Sequence, residues 1–291
     1  MYNIKIFNLG NGNSVNFTPL NDLFISRVSG LDELGIDLSE SQGVNQIGTT
    51  IQGESIPSRL IKIEGTIKDK AVLRREQLIR LMPPEASLRI VFNNKLYIDG
   101  KPEVTPGIER YAKNSRFQFS VRAPYPYWRY MDQDATALSG MQKMFRFPIN
   151  YGNPPTHRFG SRIDVAYKNI ENVGNVPCPF MVRLHAVTAV TNPRILNIET
   201  LEYIGMKKTM VAGEIITMDT RNGGLDITSE VSGVVTDDFK NFDTNSSVPF
   251  LLSVGDNLIR YDADSNRTGL NAIVRPAFAL SAPFGDDATF N

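Results

Sequence analysis

Between residues 116 and 122 the side chains alternate strictly. Phe117, Phe119 and Val121 fall on one side, and Arg116, Gln118, Ser120 and Arg122 on the other. A period of two is the mark of a strand with one face on a core and one in water. Residues 59–67 repeat the pattern, setting Ile61, Ile63 and Ile67 against Lys62, Glu64 and Thr66. Weaker versions predict strands over 3–9, 24–28, 87–92 and 95–98. Asn93-Asn94 joins the last two in the manner of a tight hairpin. The period changes over residues 70–82, which predict the one helix. Asp69 is its expected N-cap, and Ala71, Val72, Leu78, Ile79 and Met82 form the expected docking side. Arg75 interrupts that side, and Pro83-Pro84 ends the helix.

Two further stretches organise the chain. After the strand 116–122, Pro124 and Pro126 remove backbone donors and should stop the ladder. Tyr125, Tyr127 and Trp128, the single tryptophan, follow at once. We take Pro124, Pro126 and Trp128 as a domain seam, dividing the chain into domains 1–130 and 131–291. The second half reads as short strands over 163–168, 180–189, 206–211, 215–219, 225–228, 249–254, 258–262 and 271–278, separated by turns. That spacing, with no helical period, predicts an antiparallel β-sandwich. Residues 29–57 differ from both halves: glycines punctuate a polar stretch carrying Val44, Ile47, Ile51 and Ile56. A protruding β-hairpin arm accounts for it better than a plain loop. The expected fold class is therefore mostly β, in two domains, the first bearing one helix and a hairpin arm.

Composition narrows the function. Lysine plus arginine equal aspartate plus glutamate at 31 each, which argues against nucleic-acid binding through overall charge. Zero net charge also suits a protein that assembles. The start of the chain lacks the pattern of a signal peptide, and no apolar run is long enough to span a membrane. One cysteine, Cys178, allows no internal disulfide and no cysteine metal cluster. His157 lies in a Pro-rich loop and His185 in a predicted strand, so neither suggests catalysis. Gly10-Asn11-Gly12 begins like a dinucleotide fingerprint but is better read as a strand-to-strand turn. The run from Asp262 to Asn266 begins like a calcium loop, yet Arg267 stands where glycine is needed and Ile273 where glutamate is needed. An Asx-rich turn explains it better. We expect no catalytic, cofactor or metal site, and no enzyme.

Ala123-Pro124-Tyr125-Pro126-Tyr127-Trp128, closing a strand, resembles the end of the N-terminal domain in siphophage distal tail proteins, the Dit or phage tail component family. The order of elements agrees: a strand from Arg59, then the helix, then the hairpin 87–98. Asn172-Val173-Gly174-Asn175-Val176-Pro177 and Leu252-Ser253-Val254-Gly255-Asp256-Asn257 resemble two motifs of the family's second domain. Tyr125 and Asn175 depart from the pattern, each standing where the family often has aspartate. The resemblance implies a baseplate hub at the virion tail tip: a homohexameric ring of first domains between the major tail tube protein and the tail-tip or tail-associated lysin protein. It also implies a galectin-like second domain that can anchor a receptor-binding protein, and assembly in the host cytoplasm. On that reading Ile47, Ile51 and Ile56 of the arm meet a neighbouring subunit. The competing expectation is a carbohydrate-binding module for the bacterial surface, with Phe239, Phe242 and Tyr261 as its aromatics.

Overall fold

The computed structural model describes residues 3–18, 21–109, 114–131, 133–138, 140–143, 160–163, 167–221 and 223–283. His157 and the Pro-rich run 150–155 lie outside them. The chain divides into two compact units, Met1–Asp132 with Ala279–Asn291, and Gln133–Phe278.

The first unit contains β1 (Ile4–Asn8), β2 (Ser14–Phe17), β3 (Leu23–Ser29), β4 (Asp37–Ser41), β5 (Thr50–Ser55) and β6 (Arg59–Ile67). Helix α1 (Ala71–Leu81), β7 (Leu88–Phe92), β8 (Leu96–Glu109), β9 (Ser115–Ala123) and β10 (Trp128–Tyr130) follow. The main sheet runs β2-β1-β7-β8-β9-β6-β3. Both strictly alternating segments form strands, and they pair along their length from Arg59↔Ala123 to Ile67↔Ser115. Ile61, Ile63, Ile67, Phe117, Phe119 and Val121 are all at most 2% exposed. Burying each such side chain contributes about 1.5–3 kcal/mol. Asn93 and Asn94 both take positive φ, 49° and 56°, as the two-residue turn between β7 and β8 requires.

Strand β8 runs beyond the expected 95–98 because it serves two neighbours, β7 up to Gly100 and β9 from Lys101 onward. The changeover needs glycine: a Cβ at Gly100 would meet the Arg122 carbonyl oxygen at 2.6 Å.

Two expectations for this unit are corrected. The helix N-cap is Lys70, in the left-handed region with no side-chain cap bond, rather than Asp69. Its buried side is Leu78 and Leu81, with Met82 just beyond, while Val72 is 62% and Ile79 41% exposed. With so imperfect an apolar stripe, packing at the helix's C-terminal end decides its rotation. The ladder also resumes after the prolines. Trp128 and Arg129 pair with Leu280 and Ala279, and Arg129 and Tyr130 with Tyr97 and Leu96. Trp128 is fully buried in the first unit's core, its ring 5.9 Å from Phe92.

The second unit contains β11 (Thr136–Ala137), β12 (Gly140–Lys143), β13 (Gly160–Ile163), β14 (Lys168–Asn169), β15 (Phe180–Ala186), β16 (Val190–Thr191) and β17 (Arg194–Asn197). Then come β18 (Tyr203–Gly205), β19 (Thr209–Met210), β20 (Ile215–Asp219), β21 (Asp226–Val231), β22 (Val234–Asp237), β23 (Leu258–Asp262) and β24 (Leu270–Pro276). Two antiparallel sheets dominate, β11-β24-β15-β20-β21-β22 and β14-β23-β17-β18. Each buries alternate residues, Val182, Leu184, Ile216 and Met218 in one, and Ile195, Ile204, Ile259 and Tyr261 in the other. That is the pattern of two sheets sharing a core. Of the expected strand 206–211 only Thr209–Met210 forms one, β19, while Met206 makes an isolated bridge to Phe242. Residues 249–254 form no strand, only the bridge Cys178↔Leu252. The predicted strand 163–168 falls partly outside the described residues.

The two second-unit motifs meet. Asn172 bridges to Gly255. Its amide donates to the Val176 and Leu252 carbonyls, and its oxygen accepts from the Gly174 amide. Asn257 donates to the carbonyls of Ile170, Ser253 and Gly255 and accepts from the Ser253 amide. Both asparagines are buried, so each saturates backbone groups that water cannot reach. The motifs are paired turns locked by side-chain amides.

Candidate assembly surface: the arm and its root

Strands β4 and β5 form the expected hairpin, pairing with each other and with no other strand among the described residues. All their residues are exposed save Ser41. The side-chain hydrogen bonds described here stay inside it: Thr49 to Glu40, Gln46 to Thr50, and the Gly43 amide to Gln46. Large apolar side chains nevertheless cover it. Ile47 is wholly exposed, Val44 97%, Ile51 58% and Ile56 43%, joined by Ile36 and Leu38. A lone two-stranded hairpin is marginal in water, and a cluster of exposed apolar groups marks an interaction surface.

The root of the arm is the opposite. Arg59, at the start of β6, is buried. Its Nε donates to the Pro126 carbonyl at 2.7 Å, Nη1 to the carbonyls of Gly30 (3.2 Å) and Leu31, and Nη2 to that of Ser281. Trp128 Nε1 donates to the Leu31 carbonyl at 3.2 Å. One guanidinium thus ties the segment before the arm, the strand after it, the proline segment and the returning end of the chain. Burial pushes the Arg59 pKa down, against the pull of Asp32 and Tyr127. Of the expected seam residues, Pro126 and Trp128 are buried in this knot and Pro124 is exposed. Gly30, with φ of 82°, is needed here, since a Cβ would strike the Leu60 carbonyl oxygen at 2.0 Å.

Beside the knot, Asp99 on β8 joins two arginines. Arg89 grips it with two hydrogen bonds of 2.7 and 2.9 Å, and Arg129 adds one of 2.8 Å. Both guanidiniums lie over the Tyr97 ring. Such planar cations stack and pair at once, which lysine does not reproduce.

The second unit holds its charge differently. Lys208 bonds Glu214 at 2.6 Å and Asp238 at 2.8 Å, while Ser229 and the Val211 amide also donate to Glu214. Burial pushes Glu214 upward, but the bonds from Lys208, Ser229 and Val211 outweigh it and hold the carboxyl below its usual range. Burial lowers Lys208, and its bonds to Asp238 and Glu214 more than reverse this.

In the calcium-like run, Arg194 bridges the Asp262 and Asp264 carboxylates, at 2.9 and 3.0 Å. Asn266 turns back through a positive φ of 56° to bond Thr188 and Ala189. Asn8 folds the Gly10-Asn11-Gly12 turn by accepting from two of its amides. Of the aromatics named for sugar binding, Tyr261 is 2% exposed and belongs to the core. Phe239 and Phe242 stack on each other at 5.7 Å. His185 is half-buried within β15.

The arrangement, mostly β in two units with one α-helix and a bare hairpin among the described residues, is similar to that of the Dit protein of SPP1, described as a paradigm of hub adsorption apparatus in Gram-positive infecting phages. The two match with a TM-score of 0.65 and 13% identity over 94% of this chain and 98% of that one. A chain of the phage P2 baseplate in its activated conformation with calcium matches at TM-score 0.58 and 14% identity, over 97% of this chain and all of that one. No family model matches the sequence, and no curated protein matches it significantly. The likeness to the distal tail proteins thus lies in the fold.

Proposed function

We propose that this protein is a structural, non-enzymatic hub of a bacteriophage or prophage tail tip. In this reading the first unit closes with five copies of itself into a distal tail ring. That ring joins the tail tube to the tail-tip or tail-associated lysin protein. The second unit, a galectin-like sandwich, presents receptor-binding proteins for host attachment. The observation that carries the proposal is end-to-end agreement of fold with SPP1 Dit, both units and both chains covered almost completely. The exposed apolar arm supports self-assembly, because a heterologous interface made by such an arm builds a ring when its rotation closes. The protein's place is then the virion, reached from the host cytoplasm. Among the described residues no helix is long and apolar enough to cross a membrane.

Light scattering and negative-stain imaging of the purified chain test this directly. A six-fold ring is expected, and deleting residues 44–55 should leave a folded protein that no longer closes it. A strict monomer that binds bacterial glycans would replace the hub with a carbohydrate-binding module.

A further inference from the structure

We propose that the arm of one copy docks on the outward face of helix α1 of a second copy. This rests on the hub reading and names the surface that receives the arm.

The arm has a defined face. Its register pairs Leu38 with Glu54 and Glu40 with Ile51, with a shift between Ser39 and Glu40 that skips Gln52. Directly opposed residues in an antiparallel pair share a face. The bulge therefore gathers Leu38, Glu40, Ile51 and Glu54 on one side. Asp37, Ser39, Ser41, Thr50, Gly53 and Ser55 are left on the other. Residues 36–56 contain three carboxylates, Asp37, Glu40 and Glu54, and no basic residue. The arm thus offers an apolar, acidic face.

Helix α1 offers the converse. Val72 and Ile79, seven residues apart, form one stripe, with Leu73 beside them, and all three are exposed. Arg80 is exposed at one flank of the stripe and Lys70 at the helix's N-terminal end, Arg75 is half-buried, and the acid Glu76 lies between Val72 and Ile79. Residues 68–82 carry five basic side chains, Lys68, Lys70, Arg74, Arg75 and Arg80, against Asp69 and Glu76. The Arg80–Glu76 pair spans 3.9 Å with both partners largely in solvent, so it holds Arg80 only weakly. Apolar meets apolar, and acid meets base, which fixes both partner and orientation.

Two other surfaces fit less well. The outward face of β6 and β9 is polar, with Lys62, Glu64, Arg116, Gln118 and Arg122. The edge strand β22 exposes Val234 and Val235 but stands beside Glu230 and Asp237, which would repel an acidic arm.

The test is a crosslink between copies. Ile51→Cys and Ile79→Cys are placed in one chain and oxidised. The native Cys178 is buried, its thiol pushed up to about 12, so it does not compete. A non-reducing gel should show a ladder extending beyond the dimer, absent from either single variant. Assembly by light scattering without that ladder overturns the docking and leaves the hub standing. A wild-type chain that stays monomeric overturns both. As a second arm, Glu40→Lys with Glu54→Lys should raise the concentration needed for assembly about tenfold. Mixing with a Lys70→Glu, Arg80→Glu chain should restore it, and failure of that rescue counts against the docking. All four charges are exposed, so folding is unaffected.

Discussion

The two units bury charge in different ways. In the first, one guanidinium donates to four backbone carbonyls, and Asp32 and Tyr127 act on it through charge alone. In the second, Lys208 is caught between two buried carboxylates, and the carbonyl-serving role falls to the neutral amides of Asn172 and Asn257. An arginine satisfied by carbonyls has no hydrogen-bonded partner that titrates. An ion network has two kinds. The first unit's knot should therefore be indifferent to pH, and the second unit's should not.

The largest effect should come from Arg59→Met, which takes a donor from the carbonyls of Gly30, Pro126 and Ser281 and leaves that of Leu31 only the Trp128 indole. A loss of at least about 3 kcal/mol is expected in chemical denaturation, equal at pH 5 and pH 8. Arg59→Lys should recover less than half, because an ammonium lacks the fork that reaches all four. Next is Asn257→Ala, which leaves three carbonyls short of a donor. It should cost about 2 kcal/mol, again without pH dependence.

Glu214→Gln should cost about 1–2 kcal/mol near neutrality, and its signature is in the pH profile. Because the folded carboxyl titrates below its unfolded value, its contribution is present above that value and fades as pH falls through the depressed one. The raised Lys208 works at the other limit. Its contribution holds below the unfolded lysine value and is lost as pH rises through the folded one. Wild-type protein should thus lose stability at both extremes and the variant less at the acid end. Equal acid profiles would erase the contrast between the units. Ile47→Ser should be smallest, within about 0.5 kcal/mol of wild type in folding while assembly weakens.

Much of the architecture was legible from alternation alone. Residues 59–67 could be assigned because every second side chain is apolar, and Asn93-Asn94 because few residue pairs tolerate two positive φ angles. The helix face was misread because Val72 and Ile79 are as apolar as Leu78 and Leu81. Only packing shows which pair turns inward. The prolines before Trp128 led to an expected end of the ladder, yet a strand can restart two residues beyond a break. Arg59 as a knot was invisible, since its partners are carbonyls, which every residue has. The one sequence hint was its place as the first basic residue after Arg27. The arm was readable as a hairpin with exposed isoleucines. Its facing was not, because that depends on a bulge.

That bulge makes the arm's character a matter of parity. Were Gln52 paired with Glu40 instead of bulged out, Ile51 would oppose Ser41 and fall among the serines, whereas deleting Gln52 would straighten the ladder and keep Ile51 opposite Glu40. The same composition in an unbroken register would show a neighbour a different face. On the hub reading, which subunits fit together would then depend on register as much as on residue type.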